Sequence, residues 1–454
     1  SVTPVCAASI VTGRGQDEHH IPAMNWFHRE EGRYVEYGSS FRAAQRFGIA
    51  RQLTDTVYNM NRAHLSARTL TVFEQLDDAA VRTAGTTYLM YRGRYRHEPQ
   101  RDTALTRVAT TLMRHPVMGP RELFYADIFA SRRTGCRSAL GMPGVRDRHS
   151  GCVSEYLVEH DLFDFLLLSL PDNDWHSHKK GPEAQLASIA QADLQLARVA
   201  NAAGGLDRFL SEHAVIVMAD HSQAPVTASI ALQDELEELG VLGSARPPRG
   251  SPRAESVEPR IAVCPSQRAA MVYALNEPER DAMRASVVAM SMDIEGVDLV
   301  MWLERDAAER PREGVIASPE HGELRFGPGG PLTDPRGRGW RLEGSLGVIG
   351  GSEQRGVFVT PDYPDALARI WSALLCPTSG EVLLSARPGY EFLDWGRQAH
   401  VGGGSHGSLH ASDSLGALVM TGLELPDPAP PQWTIRDVAS LTLSHFGLDA
   451  EPAA

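Results

Sequence analysis

The sequence predicts an α/β fold, with a mostly parallel sheet, helices on both faces and a small α+β insertion. Three observations predict it. A short, largely apolar run at 163–170 and an all-apolar run at Ala214-Val215-Ile216-Val217-Met218 read as buried strands, and a long helical pattern at 183–202 lies between them. That order describes a βαβ unit, whose strands run parallel. Each run ends in acidic residues and histidines, and the carboxyl edge of an open α/β sheet is where ligands bind. From 258 to about 345 the pattern changes to closely spaced short strands around one helix, rich in Gly and Pro.

The elements follow in order. Thr3 directly precedes Pro4 and a small-residue apolar run that ends at Gly13, so a helix is expected with Thr3 as its N-cap. A hydroxyl there faces exposed N–H groups and suits an anion, although an ordinary cap looks the same. Residues 14–40 read as a polar loop containing His19, His20 and Asn25. Helices are expected at 42–60 and 79–91, while 92–150 gives no clear pattern. In the 183–202 helix Leu186, Ile189, Leu194 and Leu196 lie roughly on one face. A Pro/Arg/Ser-rich linker at 244–257 leads to strands expected at 260–263, 269–275, 298–303 and 324–326 and a helix at 278–292. The first pattern resumes with a helix at 364–375, strand-like runs at 380–384 and 417–420, and a closing helix at 434–446. The expected organisation is a core at 1–245, an inserted cap region at 246–345, and the rest of the core at 346–454.

Composition limits the class of function. The chain has 454 residues, 42% hydrophobic and 22% charged, as a soluble globular protein has. No apolar run is long enough to span a membrane. A net charge of −13 argues against a nucleic-acid surface. Five cysteines without CxxC spacing make a disulfide framework or thiolate zinc site unexpected, and only Cys136 with Cys152 is considered as a pair. A cytoplasmic location is expected. The only lysines are Lys179 and Lys180, beside the first acidic–histidine cluster.

That cluster, Asp172-Asn173-Asp174-Trp175-His176-Ser177-His178, offers carboxylates and imidazoles of the kind that bind Zn²⁺. Taken alone it also fits a solvated loop. With Asp220-His221 after the second strand and His406 on a Gly-rich loop, the residues could supply most of two metal sites. Two metals can clamp the attacking and leaving oxygens of a phosphoryl transfer, with a hydroxyl such as that of Thr3 as nucleophile.

These residues resemble the alkaline phosphatase superfamily, and within it the type I phosphodiesterase/nucleotide pyrophosphatase family. The resemblance rests on Thr3 through Ser9 and Thr12-Gly13, on the turn His19-His20-Ile21, on Asp174, His178 and Gly181-Pro182 as D-x-x-x-H-x-x-G-P, on Asp220-His221, and on Gly404-Ser405-His406-Gly407 followed by Asp413-Ser414. The matches run in family order along nearly the whole chain. The resemblance implies an alkaline-phosphatase-like fold. It also implies one metal on Asp174, His178 and His406 and another on Asp220, His221 and the Thr3 oxygen. Asn25 stands for an asparagine that donates to a phosphate oxygen, one position later than the family pattern. Asp172 and His176 share the spacing of Asp174 and His178, and only the H-x-x-G-P context favours the later pair. His19, His20, His213 and His410 read as surface or supporting residues. The family's first strand, ending in a further metal-binding aspartate, has no counterpart because only Ser1 and Val2 precede Thr3. The expectation is that an upstream segment is missing, or else that the site lacks a ligand.

The expected function is a two-metal hydrolase of small phosphate esters: a phosphodiester, a nucleotide pyrophosphate or a phosphomonoester. It would work through the Thr3 nucleophile with two divalent ions, Zn²⁺ first and Mn²⁺ or Fe as alternatives. The sequence also admits a phosphonate (C–P) hydrolase of the same fold, or a non-catalytic metal-binding relative.

Overall fold

The computed structural model describes residues 2–243, 258–306 and 308–448. The linker expected at 244–257 lies outside them. The principal sheet has nine strands and is almost wholly antiparallel. It draws on Ile261–Ser266, Ala269–Ala274, Val297–Arg305, Pro311–Ser318, Gly322–Thr333 and Gly339–Gly344, and also on Val382–Ala386 from the later part of the chain. Apart from one parallel contact in that sheet, between Thr333 and Val357, parallel pairing occurs in smaller sheets. Thr83–Thr86 lies between Glu122–Tyr125 and Phe165–Leu168, and the strand Ala224–Ile230 pairs with Gly389–Phe392.

The expectation of a mostly parallel sheet is therefore corrected to a mixed α/β architecture dominated by antiparallel strands. The cause is visible in the burial pattern. Ile261, Val263, Val272 and Val300 point into one apolar core, while Ala262, Cys264, Met271 and Met301 point into another. Helix Arg280–Met292 contributes Met283 and Val287 to the first core, and helix Ala366–Leu375 contributes Leu367, Ile370 and Leu374 to the second. An all-apolar strand reports that both faces are covered, not which way its neighbours run. Short links such as Gln267-Arg268 can join only antiparallel neighbours.

Both strands of the expected βαβ unit form, at Phe165–Leu168 and Val215–Met218, with helix Gln185–Ala202 between them. They do not share a ladder among the described residues. Phe165–Leu168 pairs with Thr83–Thr86, and Val215–Met218 pairs antiparallel with Leu418–Thr421. Leu186, Ile189 and Leu194 of the intervening helix are exposed.

Elsewhere most expected elements fall within a few residues of those observed. The polar loop expected at 14–40 instead holds the short helix Gln16–His19 and a hairpin of Asn25–His28 with Arg33–Glu36, closed by the turn between them. The helix expected at 79–91 is instead a turn and the strand Thr83–Thr86, because two parallel neighbours supply its backbone partners. The helix expected at 42–60 breaks at Gly48 (φ 95°) and continues beyond Asp55 as a π-helical stretch to His64. Cys136 and Cys152 form a disulfide, with their Cα atoms 5.9 Å apart, tying the preceding loop to helix Arg146–Glu159. No helix among the described residues is long and apolar enough to cross a membrane.

Candidate metal centre

Strand Phe165–Leu168 leads directly into helix Asp172–Lys180, which presents Asp174 and His178 one turn apart on the same face. Asp174 Oδ1 lies 3.4 Å from His178 Nε2 and 3.5 Å from His406 Nε2. One donor atom from each of these three residues falls within 4.8 Å of the other two. His178 Nδ1 is 2.8 Å from the Gly404 carbonyl oxygen, which can only accept. Nδ1 therefore carries the proton and Nε2 is left as the donor atom for a cation. Gly403 and Gly404 permit this approach, since a Cβ on Gly403 would collide with the His178 carbonyl and one on Gly404 would crowd Gln223 Oε1 and the Ser177 carbonyl.

Thr3, Asp220 and His221 form an adjoining trio. Thr3 is not the N-cap expected from the sequence: Val2 occupies that position, and the Thr3 side chain makes no cap bond. Its Oγ1 instead lies 3.1 Å from His221 Nε2. His221 Nδ1 faces the Ser222 carbonyl at 3.0 Å, so Nδ1 is protonated and Nε2 accepts the Thr3 hydroxyl proton. Asp220 Oδ2 stands 3.4 Å from the same Nε2. The rings of His221 and His406 stack with centroids 3.6 Å apart, which joins the two trios.

Charge is distributed unevenly over the cluster. Burial by itself would raise Asp174, but His178 and His406 outweigh it and hold its carboxyl below the usual range. Burial, ahead of the offsetting pull of Asp174, lowers His178. Burial and then His221 hold His406 well below its usual value. Burial, with the Asp174 charge adding to it, raises Asp220. At neutral pH the first trio is thus one carboxylate and two neutral imidazoles, a donor set that fits a borderline divalent cation.

Other predicted residues lie differently. Asp172 accepts hydrogen bonds from the backbone of Gly144 and Asp147 and from Arg146 Nε, so it anchors the start of helix Arg146–Glu159. His176 is outside the donor group. Asn25 is buried, its Nδ2 donating to the Pro265 carbonyl at 2.6 Å, and no hydrogen bond joins it to Thr3, Asp220 or His221. His19 is buried against Ser9, and His410 caps the short helix Ala411–Ser414. His20 and His213 are half-buried and stand outside the donor group. The sequence reading missed Gln223, whose Nε2 donates to Asp174 Oδ1 at 2.6 Å, and Gln267, whose Nε2 lies 3.4 Å from His178 Nε2. Gln223 stands two residues after His221 and was findable; Gln267 lies in a hairpin turn with no local signal. A cavity of about 530 Å³, mostly apolar, opens beside Asp220 and is lined by Val2, Ser9, Met218 and Leu384 among others.

Fold and site together define a mixed α/β protein with a carboxylate–imidazole centre at a strand-to-helix edge. Residues 1–312 match the Type I phosphodiesterase / nucleotide pyrophosphatase family, and the chain belongs to it. No curated protein matches the chain. Among solved structures the chain resembles human ectonucleotide pyrophosphatase/phosphodiesterase 5, at 10% identity and a TM-score of 0.51, with 100% of this chain and 85% of that one covered. An inactive variant of the murine protein, in complex with AMP, gives 11% identity and a TM-score of 0.50 over 99% and 84% of the two chains. Phosphonoacetate hydrolase from Sinorhizobium meliloti 1021, in complex with phosphonoformate, gives 15% identity and a TM-score of 0.48 over 98% and 86%. At these identities the likeness concerns the fold.

Proposed function

We propose that this chain is a metal-dependent hydrolase of small phosphate esters, acting on phosphodiesters or nucleotide pyrophosphates through Thr3. Family membership supports phosphoester hydrolysis. The observation that carries the finer reading is the contact between the Thr3 hydroxyl and His221, whose ring stacks on His406 of the donor trio.

In this reading Asp174, His178 and His406 hold one divalent cation, and Asp220 and His221 with the Thr3 oxygen hold a second. Zn²⁺ is the expected ion, with Mn²⁺ or Fe as alternatives. Bound there, the cations would supply Lewis-acid neutralisation of charge on the phosphoryl oxygens. The protein's own contribution is positional. Helix Thr3–Thr12 begins at the nucleophile, so its positive end faces both the hydroxyl and the phosphate. Thr3 Oγ1, having given up its proton, attacks phosphorus. The P–O bond to the leaving ester oxygen breaks and that oxygen takes up a proton. Water then cleaves the Oγ1–P bond, restoring the hydroxyl and releasing a phosphate monoester. Asn25 remains a proposed donor to a phosphoryl oxygen, which would require its amide to leave the Pro265 carbonyl.

The organisation into 1–245, 246–345 and 346–454 is part of the proposal, with substrate choice assigned to the middle segment. Gln267 of that segment reaches His178, and Pro265 holds Asn25. AMP in the murine neighbour makes nucleotides the first substrates to try.

The test is hydrolysis of a chromogenic phosphodiester and a phosphomonoester by the metal-loaded protein, with Thr3→Ala alongside. Metal-dependent turnover that Thr3→Ala abolishes is expected. Equal turnover by Thr3→Ala would remove the covalent route and leave water as the attacking group. Metal binding with neither ester cleaved would move the reading to a phosphonate hydrolase or a binding protein.

A further inference from the structure

Glu391 is an acidic residue that the proposed chemistry does not use. It lies on strand Gly389–Phe392 and its side chain is 2% exposed. A buried carboxylate is costly unless its oxygens are satisfied. Here three donors converge on it. The backbone N–H of His400 donates to Oε2 at 2.6 Å, His400 Nδ1 to Oε1 at 2.8 Å, and the Ser405 hydroxyl to Oε1 at 2.9 Å.

All three donors belong to one strap, residues 400–405, which runs into His406. The strap touches the donor trio at three places. The Gly404 carbonyl takes the His178 Nδ1 proton at 2.8 Å. The His400 ring stacks on the His178 ring, with centroids 4.1 Å apart. Ser405, paired with Ala224 in a short antiparallel ladder, immediately precedes His406. Three consecutive glycines, Gly402, Gly403 and Gly404, leave this strap with little intrinsic stiffness. Its order must come from outside, and Glu391 supplies a fixed point at each end.

We propose that Glu391 is a positioning residue of the metal centre: by anchoring His400 and Ser405 it holds both the Gly404 carbonyl that sets the His178 tautomer and the imidazole of His406. This rests on the reading that Asp174, His178 and His406 bind a cation. Glu391 touches neither cation nor substrate; it acts through the strap.

The experiment titrates Co²⁺ into the metal-free full-length chain, and records affinity and the visible absorption of the saturated protein. Wild type is compared with Glu391→Gln, Glu391→Ala, Ser405→Ala and His400→Phe, each also checked by thermal melting. Removing an outer partner of a metal ligand weakens binding about 10–100-fold. Glu391 acts one step further out, through the strap, so Glu391→Ala is expected to show a loss towards the lower end of that range, about 10-fold, and an altered spectrum at saturation. Glu391→Gln is expected to lose less, because its oxygen still accepts from Ser405 or His400 while its NH₂ opposes the His400 N–H. Ser405→Ala and His400→Phe keep the carboxylate and remove one donor each, so both should show smaller losses. If Glu391→Ala does not fold, those three milder variants carry the test. Unchanged affinity and spectrum in Glu391→Gln, Ser405→Ala and His400→Phe would overturn the inference, even if the melting temperatures fell. If wild type itself took up no Co²⁺, the metal-centre reading would fail and this inference with it.

Discussion

The two halves of the candidate centre are built in opposite ways. In one, Asp174, His178 and His406 come from a helix and a distant loop, yet their donor atoms lie within 4.8 Å of one another. Gln223, Gln267 and the Gly404 carbonyl brace them. In the other, Asp220 and His221 are neighbours in sequence, and Thr3 joins them from 218 positions away. Asp220 of that half lines a cavity of about 530 Å³, and neither Asp220 nor His221 falls in a three-residue donor group among the described residues. Adjacency in sequence brings two side chains close without orienting them. Orientation comes from partners brought in by the fold, which the first half has in two glutamine side chains and one backbone carbonyl.

The largest effect expected from breaking this asymmetry is at Thr3. Thr3→Ala should lower turnover by roughly three orders of magnitude or more, as loss of a nucleophile does elsewhere. It should leave metal on Asp174, His178 and His406 intact, as elemental analysis would show. Thr3→Ser should retain part of the activity. Equal metal loss in Thr3→Ala would mean that the halves are not separable.

Next in size is the loss of a ligand. His178→Ala or His406→Ala should weaken metal binding beyond the ~10–100-fold cost of losing an outer partner. His221→Ala should remove the second equivalent and activity while sparing the first. Two full equivalents in His221→Ala would show that His221 is not a ligand.

A third test lies outside both halves. The Cys136–Cys152 disulfide closes a sequence separation of 16, so removing it as Cys136→Ser/Cys152→Ser should cost about 3 kcal/mol of stability in urea. Metal content should not change. A fall in metal content would tie helix Arg146–Glu159 to the centre, through its contact with Asp172.

The last effect concerns pH and is small near neutrality. Burial, then the charge of His20, lowers His19 to about 3. His19 holds Ser9 of the helix that begins at Thr3. Its folded pKa lies below its unfolded value of about 6.5, so the unfolded chain binds more protons between those values. Stability should therefore fall as pH drops from about 6.5 towards 3, by at most ~1.4 kcal/mol per pH unit from this group. Hydrogen exchange should show helix Thr3–Thr12 loosening before helix Asp172–Lys180. His19→Gln should flatten the dependence; an unchanged slope in that variant would assign it to other buried histidines such as His64, which burial lowers to about 4.

Much of the fold was legible because apolar runs and turn residues act locally. The strands near 261, 269, 298 and 382 and the helices near 280 and 366 lie where periodicity places them. The strand Thr83–Thr86 was not legible, since it is a strand only by virtue of two neighbours supplied from elsewhere. In the site, Asp174 was separable from Asp172 only by its motif, and the structure gives each a use: one joins His178 and His406, the other ties down Gly144 and Asp147.

What the sequence determined by itself was the chemistry available: Thr3 ahead of Pro4, two acidic–histidine pairs after apolar strands, and a histidine in a glycine-rich loop. Residue type and spacing are properties of the chain alone. Only the tertiary structure decided strand direction, the Cys136–Cys152 bond, and which nitrogen of His178 is free. For His221 the partner is the neighbouring Ser222 carbonyl, set by the local backbone conformation, whereas the Gly404 carbonyl lies 226 positions from His178, and no local pattern encodes so distant a partner.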